Sequence, residues 1–307
     1  MATSEPPRIA IGPEPFPEYL STAITDGGGQ IVPPADCEAV VWADIGNTGE
    51  LSRLLASAPN CRWVQLPWAG VETFVDVLNA EYEWTCGKGV YAEPVAELAL
   101  ALGLAGMRSI HTYSSATTWG DKRGRNLIGA RVTIVGGGGI AEALIRLLQP
   151  FRCHITVVRS TVQHMDGVDT VVESHHLADT LPGADLVVLA LALTPATEGL
   201  IGADELALME PHAWLVNVAR GRHLITDDLV VALEGGVIAG AGLEVTEPEP
   251  LPDGHPLWTL DNCIITPHTG SPEEMAAPLL AERVRDNVRR FAAGRELLGI
   301  VDVRSGY

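Results

Sequence analysis

Residues 132–141 read VTIVGGGGIA. Four glycines in a row follow a run of β-branched residues and precede a helix-like stretch, AEALIRLLQP. Glycine reaches backbone conformations other residues avoid, at a cost in chain entropy, so a folded protein keeps such a run only where turn geometry or a close approach demands it. Strand, glycine turn and helix in this order constrain the chain more than any other feature. They define a βα unit, and the next strand candidate, HITVV at 154–158, completes a βαβ crossover and therefore a parallel pair.

The spacing within the turn is Gly136-x-Gly138-x-x-Ala141. Gly136 permits the tight turn, Gly138 lets a pyrophosphate approach the backbone, and Ala141 is small enough for helix–sheet packing. Gly139 and Ile140 complete a cradle whose N–H groups and helix dipole favour an anion. A flexible turn would explain the glycines alone, but not the strand before, the helix after and the strand beyond. Dinucleotide binding explains all four.

The rest of the chain has the same rhythm. RIAIG, EAVVWA, RWVQL and YEWTC are short apolar strands, with helical readings for TGELSRLLASAP and GVETFVDVLN between them. AEPVAELALALGLAGMR is predicted as a buried helix with Pro94 in its first turn. Beyond residue 131 the strand candidates are RVTIV, HITVV, DTVVE, DLVVLAL, WLVNV, VIAGAGLEV and CIIT. Most are near-continuous apolar runs, as in strands covered on both faces. A long helix is expected over 271–294, ending at Gly294. The fold class predicted is α/β, with two parallel-sheet domains of Rossmann or flavodoxin type.

Composition excludes several roles. The chain has 307 residues, 47% hydrophobic, which suits two domains with sizeable cores. The net charge of −19 argues against nucleic acid. Five cysteines without CxxC spacing indicate neither a disulfide framework nor a zinc site, so no metal is expected and a reducing, cytoplasmic setting fits. The N-terminus lacks the basic start and apolar stretch of a signal peptide. The longest apolar run, 98–107, is about half of the ~20 residues a membrane helix needs.

In an open α/β sheet, ligands bind beyond the carboxyl ends of the strands. Arg220 follows WLVNV, Glu249 follows VIAGAGLEV, and His268 follows CIIT. An arginine binds a carboxylate bidentately and polarises a neighbouring carbonyl. A histidine exchanges a proton near neutral pH, and an adjacent carboxylate orients its ring. With a nicotinamide as hydride source, such a set interconverts a 2-oxo acid and a 2-hydroxy acid. Each residue has a plainer explanation as a solvated arginine, an exposed acid in a turn or a loop histidine. On consecutive strand ends of one fold, the joint explanation is chemical. The second strand of the nucleotide unit ends in Arg159 and Ser160, where an NAD-dependent fold carries an acid for the ribose, so NADPH is expected to be preferred over NADH. Stacking of Arg159 on the adenine is the alternative, compatible with either cofactor.

The stretch LVNVARGRHLITDDLVVALEGGVIAGAGLEVTEPEPLPDGHPLWTLDNCIITPHTG, with the glycine loop, LTPATEGLIG, QLPWAGVE and the C-terminal helix, resembles the D-isomer-specific 2-hydroxyacid dehydrogenases, and the likeness spans nearly the whole chain. The resemblance implies a substrate-binding domain formed by 1–92 and 276–307, with a dinucleotide-binding Rossmann domain, 93–275, inserted. It implies that Arg220 binds substrate, that His268 is the acid/base and that Glu249 pairs with it. It puts backbone N–H groups around Ala69, Gly70 and Val71 on the substrate carboxylate, with Trp68 and Tyr91 either lining the pocket or serving the core, and Leu193 and Thr194 against NADP or NAD. It also implies a homodimer with 92–107 helping to form the interface. Glu244 is expected against the cofactor as well, but it is a departure, since the family usually has Asp there, in GLDV near the nicotinamide. Glyoxylate and hydroxypyruvate are the leading substrates. A non-catalytic dinucleotide sensor of the corepressor type is the alternative, and formate oxidation is a third reading.

Overall fold

The computed structural model describes residues 5–304; the extreme ends of the expected substrate domain, 1–4 and 305–307, lie outside the described residues. The chain divides into two compact units: residues up to Tyr91 together with those from Pro272 onward, and Ala92–Ser271.

The first unit carries a five-stranded parallel sheet of β1 (Arg8–Gly12), β2 (Gln30–Ile31), β3 (Ala39–Trp42), β4 (Trp63–Gln65) and β5 (Glu83–Thr85), in the order β2-β1-β3-β4-β5. Helices α1 (Glu18–Asp26) and α2 (Thr48–Ala56) connect early strands; Asn47 caps α2 by accepting from the Glu50 N–H. The C-terminal helix, numbered α9 below, returns to this unit. Its buried Asn287 donates to Gln65 Oε1 at 2.8 Å and to the Leu298 carbonyl at 2.9 Å, which fastens the returning chain to the end of β4. Leu280, Val284 and Val288 of that helix share one apolar core with Ile9, Leu20, Ile24 and Trp63.

The second unit begins with α3 (Ala92–Met107) and α4 (Ile110–Ser114). Its sheet is seven-stranded and wholly parallel: β6 (Arg131–Val135), β7 (His154–Arg159), β8 (Thr170–Glu173), β9 (Leu186–Leu189), β10 (Trp214–Asn217), β11 (Gly240–Leu243) and β12 (Cys263–Ile265). The order β12-β11-β10-β9-β6-β7-β8 reverses at β6, the topological switch point where α/β sheets bind nucleotides. Helices α5 (Gly139–Leu148), α6 (Leu177–Thr180), α7 (Ala203–Leu208) and α8 (Thr226–Glu234) link these strands, and α9 (Glu273–Ala292) leads back to the first unit. Two apolar cores cover the sheet, one centred on β6, α3 and α5 and the other on β9, β10 and α8. The two-sheet parallel α/β class is as the sequence predicts.

One local expectation fails. The helix read into 70–79 is only a 3-10 turn, Glu72–Phe74. Thr73, Phe74, Val75 and Val77 are weak helix formers, and Thr73 Oγ1 donates to the Ile45 carbonyl at 2.9 Å. Conversely, α1 carries little sequence signal because its Ser21, Thr22 and Thr25 favour other states; Ser21 and Thr25 hydroxyls donate to backbone carbonyls one turn back.

Candidate active site

The glycine loop forms at the end of β6. Gly136 has φ +116°, and a Cβ there would lie 2.1 Å from the Ala190 carbonyl oxygen, so the turn and the end of β9 both require glycine. At Gly138, the residue preceding α5, a Cβ would meet nothing within 4 Å. The fold has no use for glycine at Gly138, and the space beside it is open. Ala141 is fully buried under the sheet. This combination fits a pyrophosphate, with the N–H groups of Gly138, Gly139 and Ile140 at the helix start.

Arg159 ends β7 and lies across the same loop: a Cβ on Gly137 would come within 2.9 Å of its side chain. Gln163, with its amide oxygen turned toward Arg159, accepts from the two terminal guanidinium nitrogens at 3.0 and 3.2 Å. The register neighbour of Arg159 on β8, Glu173, pairs instead with His175 at 3.2 Å. Arg159 therefore has a neutral partner and no ion pair among the described residues. Ser160 beside it is exposed.

Leu193 and Thr194 lie in the loop after β9, which is tied around Thr197: the Thr194 N–H donates to Thr197 Oγ1 at 2.8 Å, and Thr197 Oγ1 donates to the Ala192 carbonyl at 2.9 Å. The fully buried His223 sets its ring nitrogens 2.8 Å from the Thr197 carbonyl and 3.3 Å from that of Leu191. It couples this loop to the turn that carries Arg220.

Arg220 stands three residues past β10. Its backbone carbonyl accepts from Asn217 Nδ2 at 2.8 Å, and its Nη1 donates to the Ala219 carbonyl at 2.8 Å. Gly221 follows because a Cβ there would lie 1.9 Å from the Thr246 carbonyl oxygen. The Arg220 turn thus packs directly on the segment leading to Glu249. His268, three residues past β12, has φ +49°. Its Nδ1 lies 2.6 Å from Glu249 Oε1 in a contact half open to solvent. Glu244 is only 2% exposed, and both carboxylate oxygens are used within the chain, accepting from Thr266 Oγ1 and from the Gly270 N–H. Arg220, Glu249 and His268 all lie beyond the carboxyl ends of adjacent strands of this sheet.

In the first unit, the Pro67–Val71 loop is held by its carbonyls. Tyr91 Oη donates to Pro67 O at 2.7 Å, the Gly87 N–H to Trp68 O at 2.8 Å, and Cys86 Sγ to Ala69 O at 3.6 Å. Burial pushes the Tyr91 phenol and the Cys86 thiol up, so both remain protonated donors. Among the described residues the N–H groups of Ala69, Gly70 and Val71 have no acceptor. The three secured carbonyls fix the loop with these N–H groups unused. The Trp68 and Tyr91 rings pack with centroids 5.0 Å apart, Tyr91 buried and Trp68 at the surface.

Sequence reasoning missed Asn217, His223 and Gln163. Asn217 had a signal, a lone amide inside the apolar run WLVNV; His223 and Gln163 had none that local pattern supplies.

The family model for the D-isomer specific 2-hydroxyacid dehydrogenase NAD binding domain matches residues 98–270, more than half of the chain. The chain belongs to this family. A glyoxylate/hydroxypyruvate reductase A from Serratia proteamaculans is 30% identical over 291 residues, covering 89% of this chain and 88% of its own. The human glyoxylate reductase/hydroxypyruvate reductase is 35% identical over 220 residues, 69% of this chain and 65% of its own. A D-isomer specific 2-hydroxyacid dehydrogenase from Xanthobacter autotrophicus, solved with NADPH, superposes with a TM-score of 0.85 at 28% identity, covering 99% of this chain and 100% of its own. As a 2-hydroxyacid dehydrogenase, the protein is an NAD(P)-dependent oxidoreductase of 2-hydroxy acids. These relatives give no support to the sensor reading. Among the described residues no helix is long and apolar enough to cross a membrane.

Proposed function

We propose that the protein reduces a small, unphosphorylated 2-oxo acid of the glyoxylate or hydroxypyruvate type to its D-2-hydroxy acid, with NADPH preferred. The observation that carries this reading is the His268–Glu249 contact of 2.6 Å, on the strand-end edge that also bears Arg220. Bound NADPH supplies the hydride. Glu249 accepts from Nδ1 of His268, which leaves Nε2–H of the imidazolium to protonate the developing alkoxide. Arg220 polarises the carbonyl and holds the carboxylate. Arg159 and Ser160 receive the 2′-phosphate.

The protein acts as a cytoplasmic homodimer. Support for the dimer is the outward side of α3, where Leu98, Leu100 and Leu104 are only half-buried and Ala101 is exposed, continued by exposed Ile110 and Tyr113. Support for a reducing compartment is that all five cysteines are free thiols.

The deciding experiment offers NADPH or NADH with a panel of 2-oxo acids and follows absorbance of the reduced cofactor. The expected result is rapid turnover of glyoxylate and hydroxypyruvate and a product of D configuration where a stereocentre forms. No turnover with any 2-oxo acid, or an L product, overturns the reading. Sedimentation velocity tests the dimer.

A further inference from the structure

The carboxylate of Glu244 has two donors, and both belong to the loop that presents His268. Oε2 accepts from Thr266 Oγ1, two residues before the histidine, and Oε1 accepts from the Gly270 N–H, two residues after it. The Glu244 backbone carbonyl accepts from the His268 N–H itself at 3.0 Å. Its own N–H donates to the Asn217 carbonyl at 3.0 Å, and the Asn217 side chain donates to the Arg220 carbonyl at 2.8 Å. One buried residue thus connects the backbone of the candidate acid/base to the turn of the substrate arginine.

The surroundings are shaped for this use. His268 holds φ +49°, a conformation that costs a non-glycine residue energy and persists only where neighbours enforce it. Gly270 is buried, and a Cβ there would lie 3.1 Å from Glu244 Oε1 and 3.3 Å from Val95 Cγ2, so glycine admits the carboxylate to the N–H. Glu244 is 2% exposed, and an acid so deep persists only when its oxygens are satisfied.

We infer that Glu244 is a positioning residue that fixes the His268 loop in register with Arg220 by clamping Thr266 and Gly270 on either side of the histidine. This rests on the acid/base reading of His268. Glutamate suits the task because its carboxylate spans both donors; aspartate, one methylene shorter, is expected to hold at most one. Misplacing a reacting group by about 1 Å costs on the order of a hundred-fold in rate.

The test uses the full-length enzyme with Glu244→Gln, Glu244→Asp, Thr266→Val, Thr266→Ser and His268→Ala, and the double variant Glu244→Gln/His268→Ala. Each is assayed for kcat and for the Kd of NADPH by fluorescence titration. Both Glu244 variants are expected to lower kcat by about ten- to a hundred-fold while the Kd for NADPH stays within about two-fold. In the His268→Ala background, Glu244→Gln is expected to cost nothing further, because a residue acting through another is silent once that other is gone. Thr266→Val should lower kcat by up to about ten-fold and Thr266→Ser should retain it, because only the hydroxyl is used. If Glu244→Gln does not fold, the Thr266 pair decides alone. Losses that multiply in the double variant, a weakened Kd for NADPH with kcat unchanged, or equal activity of the two Thr266 variants overturns the proposal. Full activity of His268→Ala overturns the acid/base reading and this inference with it, whereas an impaired His268→Ala with multiplying losses overturns this inference alone.

Discussion

His268 Nδ1 and Glu249 Oε1 are 2.6 Å apart across 19 residues of sequence, in a contact to which each side chain brings a half-exposed surface. Solvent weakens such a pair, so its worth to stability is small. Its value is orientation: with Nδ1 engaged, the ring presents Nε2 in one direction.

Glu249→Gln keeps the shape and removes the charge. A carboxylate can only accept from the Nδ1–H and so holds the ring with Nε2 free, whereas an amide can offer its NH2 instead and let the ring turn. kcat for 2-oxo acid reduction is therefore expected to fall by about ten-fold or more, with the melting temperature nearly unchanged. An unchanged kcat shows that the carboxylate does not act on the ring.

Arg220→Lys keeps the charge and loses the planar fork. The backbone of this turn is held by Asn217 and by the glycine at 221, neither of which depends on the guanidinium. A fall of about a hundred-fold or more in kcat/KM for the 2-oxo acid is expected, with folding intact, since bidentate recognition of a carboxylate is charge-assisted twice over. A variant that changed only its melting temperature would make Arg220 a structural residue.

Two glycines of one loop should respond in opposite ways to the same change. Gly136→Ala forces a Cβ to 2.1 Å from the Ala190 carbonyl at φ +116°. Strain of that kind costs about 1–3 kcal/mol or more and should lower the melting temperature by several degrees. Gly138→Ala meets nothing within 4 Å and should leave stability alone. If the pyrophosphate occupies that space, Gly138→Ala weakens NADPH binding by about ten-fold or more, since a steric clash of even a methyl group is worth on the order of 1.4 kcal/mol. Calorimetry and cofactor titration on the pair separate the two roles; a Gly138→Ala protein that binds NADPH normally removes the cofactor from this position.

Much of this was legible in the sequence because a parallel sheet has one carboxyl edge. Once WLVNV, VIAGAGLEV and CIIT read as neighbouring strands, Arg220, Glu249 and His268 had to share that edge. The glycine loop was legible because its φ and its close contact leave a compositional mark. The partners of Glu244 were not. A buried acid reads like any other in one dimension, and its donors, Thr266 and Gly270, are defined by where β12 ends relative to β11. The false helix at 70–79 failed for a related reason: apolar spacing suggested a turn-by-turn face, but Thr73 is drawn to the Ile45 carbonyl by a contact 28 residues away.

The cofactor preference rests on Arg159. Its guanidinium lies against Gly137 of the nucleotide loop and meets the neutral Gln163 amide, while Glu173, its neighbour in register, is engaged by His175. In a chain of net charge −19, a cation with no acid partner among the described residues is suited to a dianion. Stacking on adenine would use the flat face of the same group and serve both cofactors equally. Arg159→Asp distinguishes the two. If Arg159 pairs with the 2′-phosphate, the substitution replaces attraction by repulsion, and kcat/KM with NADPH should fall by about a hundred-fold or more, the two penalties adding, while NADH use is unchanged or improved. Gln163→Ala should produce a smaller loss in the same direction by loosening the guanidinium. Steady-state rates with both cofactors at several salt concentrations provide the readout, and the NADPH advantage should shrink as salt rises. A wild-type enzyme that favours NADH, or an Arg159→Asp enzyme equally impaired with both cofactors, leaves Arg159 with the adenine and removes the phosphate assignment.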